Sequence, residues 1–116
     1  MDTQEFIELG KGIYGKIITV TPEMAKEMLS HSTQSRPIKK DKVQQYAADM
    51  KAGKWLFNGS SISFSDKGNL LDGKMRLLAL IESNTSQDIL IFKGFNENII
   101  ATIDLGHHGK VRKTGR

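Results

Sequence analysis

The residues best placed by type and spacing to do chemistry fall in one run, Gly68-Asn69-Leu70-Leu71-Asp72-Gly73-Lys74-Met75-Arg76-Leu77-Leu78-Ala79. A short apolar strand there passes through a glycine turn into an apolar helix. The first turn of a helix leaves backbone N–H groups without intrahelical acceptors. Aligned peptide dipoles add roughly half a positive charge at that end. Glycine lets an anion approach the backbone, and an arginine one turn on can fork onto its oxygens. Lys74 adds a less directional charge. Gly73, Lys74 and Arg76 therefore form a candidate phosphate cradle. A purely structural reading competes with it: Arg76 pairs with a nearby acid, Asp72 or Asp104, and Gly73 only permits the turn.

Other chemistry is thinly represented. The chain has no cysteine, which excludes disulfides, thiolate zinc sites and cysteine nucleophiles. His107 and His108 are adjacent, so their side chains diverge, and no third ligand stands at helical or strand spacing; no metal site is expected. His31 reads as a solvated loop residue. Gly10–Gly15 matches G-x-G-x-x-G by letter, but a strand-like run follows it instead of a helix. It reads as a flexible turn or hairpin, not a cofactor fingerprint. Trp55 is either a core residue or a base-stacking platform.

The elements that must hold the cradle follow from periodicity. Residues 1–16 form an N-terminal extension in which Phe6–Leu9 could be a short edge strand. Ile17-Ile18-Thr19-Val20 is β-branched and reads as a buried strand. Thr21-Pro22-Glu23 starts a helix that runs to Leu29, with Met24, Met28 and Leu29 inward. After the extended Arg36-Pro37-Ile38, Val43, Tyr46, Ala47 and Met50 mark the inner face of a second helix, closed by Gly53. Trp55-Leu56-Phe57 reads as a core cluster. Ile62 and Phe64 alternate with serines in a half-buried strand, and Asp66–Asn69 turns it back into Leu70-Leu71. Asp72 is expected to cap the third helix, which runs to Ser83 with Leu77, Leu78, Leu80 and Ile81 on its apolar face. Asp88–Lys93 reads as a strand buried on both sides. Asn96–Thr102 reads as a short helix, and Ile103–Gly106 closes the domain. The class is α+β, one small domain with a mixed sheet packed with helices.

Bulk properties fit that reading. A chain of 116 residues holds one modest core. The net charge of +4 matches Lys110, Arg112, Lys113 and Arg116 in a tail without acids, leaving residues 1–109 neutral. That tail is either a source of salt-dependent nucleic-acid contact, through Lys110, Arg112 and Lys113, or a solvated terminus. No apolar run is long enough to span a membrane, and the N-terminus lacks a signal-peptide pattern, so a cytoplasmic protein is expected.

Arg36-Pro37-Ile38, the helix from Val43 through Tyr46-Ala47-Ala48-Asp49-Met50 to Gly53-Lys54-Trp55, Asn58-Gly59, the Gly68–Ala79 turn and Ile89–Phe92 occur in an order that resembles the ParB/sulfiredoxin superfamily. The chain is especially similar to the ParB-like nuclease-domain proteins common in phages and mobile elements. The resemblance covers residues 17–106, with 107–116 as a basic tail. It implies that Gly73, Arg76 and Ala79 stand in the Gly-x-x-Arg-x-x-Ala motif that holds nucleotide phosphates in partition proteins and ATP phosphates in sulfiredoxin. It makes Arg36 a candidate second phosphate ligand. It places Asn58 and Asp72 at the pocket rim, where Asp72 could contact a metal or water, and Asp104 in a closing motif of no assigned role. The departures limit it. The glutamine–histidine pair of the phage-type turn is Lys74-Met75 here, and methionine neither transfers protons nor binds hard cations. Sulfiredoxin's cysteine is missing, which rules out sulfinic-acid reduction. Partition proteins carry DNA-reading and dimerisation domains after this one, so sequence-specific clamping is not expected from these 116 residues alone.

Three functions remain open at this point. The first is a nucleic-acid or nucleotide-phosphate binding protein, phage or mobile-element encoded. The second is a metal-dependent nuclease or NTPase using Asp72, with Mg2+ or a nucleoside triphosphate bound. The third is a protein-binding inhibitor of a host defence factor.

Overall fold

The computed structural model describes residues 5–33, 37–57 and 60–98. Five strands and three helices follow in the order β1 (Ile7–Gly10), β2 (Ile13–Val20), α1 (Pro22–Leu29), α2 (Lys40–Lys51), β3 (Ser61–Ser65), β4 (Leu70–Asp72), α3 (Lys74–Ser83) and β5 (Gln87–Phe95). The strands form one mixed sheet in the order β1-β2-β5-β3-β4. Among the described strands only β3 and β5 pair in parallel. A parallel pair needs a crossover connection, and β4 with α3 supplies it.

One face of the sheet carries the core. Val20, Ile62, Phe64, Ile89 and Ile91 are buried on it, packed with Ala25 and Met28 of α1, Val43, Ala47 and Met50 of α2, and Leu77, Ala79 and Leu80 of α3. The helical periodicity of α2 and the alternation of β3 thus place their apolar residues as expected. Leu77 and Leu80 have no exposed surface; truncating either to alanine costs about 2–5 kcal/mol.

Among the described residues the opposite face is less buried. Leu90 pairs with Ile17, and Phe92 pairs with Gly15, on that side. Ile17 is 54% exposed, and Leu90 and Phe92 are half-buried. The strand expected to be buried on both sides is therefore buried on one. Its continuous apolar run masks the alternation that burial imposes.

Other differences are local. β2 begins at Ile13 and pairs with β1, because the Gly10-Lys11-Gly12 turn, all three with positive φ, closes a hairpin. Gly94 on β5 lies so close to the Gly12 carbonyl that no side chain fits there. Leu56 and Phe57 are exposed, at 73% and 51%, instead of joining the core; only Trp55 turns inward, edge-on to Tyr46. Residues 97–98 are helical, Asn96 is not, and the rest of the helix expected at 96–102 lies outside the described residues. Among the described residues no helix is long and apolar enough to cross a membrane.

Candidate functional site

The site forms where β4 ends against β3 and α3 begins. Ser63 of β3 pairs with Asp72 of β4, so the chain leaves the sheet directly into Gly73. Gly73 is the N-cap of α3, with φ 110°. A Cβ there would lie 2.7 Å from Ile62 Cγ1. The glycine is thus required twice, by a backbone conformation that L side chains disfavour and by close approach to β3.

Among the described residues no side chain caps α3, and its first turn holds no acid. Asp72 does not cap it as expected. It belongs to β4, one residue too early for its carboxylate to fold onto the first-turn amides. The helix begins instead with Lys74 and Arg76. Arg76 Nη1 donates to the Ser61 carbonyl at 2.8 Å. Among the described residues no carboxylate pairs with this guanidinium, so the acid pairing expected of a structural arginine is not made with Asp72. Asp104 lies outside the described residues. A guanidinium has five N–H donors in a fixed fork, and the bond to Ser61 aims the group while using one of them. Lys74, Met75 and Arg76 are half-buried, and Met75 packs against the core.

The structure therefore brings Gly73, Lys74 and Arg76 together in one helical turn, with Asp72 beside them. Arg36, Asn58, Lys110, Arg112 and Lys113 lie outside the described residues. Among the described residues no three His, Cys, Asp or Glu side chains converge to hold a metal ion. The arrangement can present backbone amides, a helix dipole and two cations to an anion. Sequence reasoning missed the Ser61 carbonyl as the anchor of Arg76, because a main-chain acceptor on another strand leaves no residue-type signal.

It also missed Glu97. Ser65 Oγ donates to Glu97 Oε2 at 2.6 Å, and Asn69 Nδ2 donates to the same oxygen at 2.5 Å. Ser65 Oγ in turn accepts from the amides of Lys67 and Asn69. The hydrogen bonds from Ser65 and Asn69, with Lys67 nearby, hold the Glu97 carboxyl below its ordinary value although burial pushes the other way. Glu97 therefore braces the turn that leads into β4.

No protein-family model, curated protein or solved structure matches the chain.

Proposed function

We propose that this protein binds phosphate groups of a nucleotide or nucleic acid at the start of α3. The observation that carries the reading is an uncapped helix N-terminus whose first turn supplies cations where acids are usual. Gly73 would let a phosphate oxygen reach the amides. Arg76, steadied by Ser61, would fork onto a second oxygen, and Lys74 would add charge. Arg36 and Asn58 are proposed as further ligands, and Lys110, Arg112 and Lys113 as salt-dependent contacts to a polymer. The order of motifs resembling ParB-like domains of phages and mobile elements agrees with this assignment.

The test is a fluorescence titration with labelled CTP, ATP and a short single-stranded oligonucleotide, at two salt concentrations. Arg76→Ala should weaken binding by about tenfold or more, the effect of losing a charge-assisted hydrogen bond. Arg76→Lys should restore part of it. Deleting residues 110–116 should flatten the salt dependence for the oligonucleotide alone. Saturation of none of these ligands, or equal affinity in the folded Arg76→Ala variant, defeats the proposal.

A second reading rests on a separate observation. Ile7, Leu9 and Ile17 are 68%, 58% and 54% exposed on the side of the sheet opposite the core. An apolar face of this kind suits a protein partner, as an inhibitor of a host factor would need. Arginines introduced at Leu9 and Ile17 should abolish recovery of any partner from host lysate while leaving nucleotide binding intact. Undiminished recovery removes this reading.

A further inference from the structure

A concavity lies at the other end of β4 from Gly73. A cleft of about 730 Å³ opens between α1 and the β3–β4 turn. β4 has only three residues, so the cleft and the α3 start are separated by about 10 Å of strand. Its floor is apolar: Tyr14 from β2, Met24 and Met28 from α1, and Phe64 from β3. Met28 and Phe64 are buried, and Tyr14 and Met24 are half-buried. Thioethers adapt to the shape of an apolar guest, and aromatic faces attract cations. A pocket of this size with a few polar groups on an apolar lining is the ordinary form of a small-molecule site.

The rim decides the sign of the guest. α1 places Glu23 and Glu27 one turn apart on the cleft, and the turn adds Asp66. Two lysines also line it, but both have neighbours. Lys93 Nζ stands 4.6 Å from the centre of the Phe6 ring, and Lys67 interacts with the Glu97 carboxylate. Glu27 lies 3.1 Å from His31. Glu23 and Asp66 pair with no cation among the described residues. Gly12 and Gly68 face open space where a Cβ would stand, which keeps the rim low.

We propose that this cleft binds a small amphipathic cation, an ammonium group carried on an aromatic or alkyl body. The body lies over Met24, Met28, Phe64 and Tyr14, and the ammonium reaches the rim between Glu23 and Asp66. An anionic counterpart of the same shape meets carboxylates there and is rejected. The site is independent of phosphate binding at α3.

The experiment is an NMR amide-shift titration of the full chain with 2-phenylethylamine, with 2-phenylethanol and 3-phenylpropanoate as neutral and anionic counterparts. The amine should give saturable shifts at Tyr14, Met24, Met28, Phe64 and Gly68, with the alcohol weaker and the propanoate weakest. Combining Glu23→Gln with Asp66→Asn should lower amine affinity by up to about tenfold, as expected for two exposed charge pairs, and bring it to that of the alcohol. Met24→Trp, which fills the cleft, should abolish the shifts. Arg76→Ala should leave the amine titration unchanged. Absence of saturable shifts, equal affinity for amine and propanoate, or an unchanged affinity in the doubly neutralised variant overturns the assignment.

Discussion

The starts of α1 and α3 are built in opposite ways. At α1, Thr21 Oγ1 accepts from the Met24 amide at 3.2 Å, Pro22 fills the first turn, and Glu23 complements the dipole. A side-chain cap, a first-turn proline and a first-turn acid act together there. At α3 the cap is a glycine in the left-handed region, no side chain caps the amides, and the first turn is cationic. α2 is intermediate, uncapped but with Asp41 in its first turn. The same chain thus satisfies one helix start from within and leaves another for an external acceptor. The contrast separates a terminus selected for stability from one that our reading assigns to binding.

The sharpest way to break the comparison is Gly73→Ala. Its Cβ would strike Ile62 and its φ would be strained, so urea denaturation should show a loss of about 2–4 kcal/mol. A loss near zero would mean that β3 yields at this point and that the cradle is soft. Thr21→Ala should cost about 1 kcal/mol in the same assay, with nucleotide affinity unchanged. Lys74→Glu converts the start of α3 to the pattern of α1. It should raise stability by about 0.3–1 kcal/mol while reducing nucleotide affinity by more than about tenfold. Movement of both quantities in the same direction would remove the distinction between the two helix starts.

The smallest effect concerns the brace on the β3–β4 turn. Glu97 has a lowered folded value, so its contribution is complete above the ordinary value of 4.5 and fades as pH falls through the folded one. Glu97→Gln should lower the neutral plateau of a denaturation-midpoint profile slightly and flatten its acid limb, so that variant and wild type converge at low pH. An acid limb identical to wild type would show that Ser65 and Asn69 hold the turn unaided.

Much of this architecture was legible in the residues. Thr21-Pro22-Glu23, the Val43–Met50 spacing and the Ser61–Ser65 alternation each encode local geometry and burial together, and the structure follows them. Legibility failed where burial depends on a distant neighbour. Leu56 and Phe57 resemble core residues by type, yet among the described residues no element covers them. β5 carries apolar residues on both faces although helices cover only one, so its composition overstated its burial. The site was half legible. Gly73 and Arg76 announced a helix start, but the Ser61 acceptor that orients the guanidinium is a main-chain carbonyl on another strand, and every residue type carries one.

The crossing of Gly94 with the Gly12 carbonyl has a consequence for how this chain tolerates change. Two backbones touch there with no side chain between them, so the first hairpin cannot slide along β5 by even one position. In a library randomising every codon, position 94 should accept nothing else, whereas position 53, also left-handed but facing open space, should admit asparagine. Register in this sheet is therefore guarded by an absence of atoms, which makes it invisible to any scan that removes side chains.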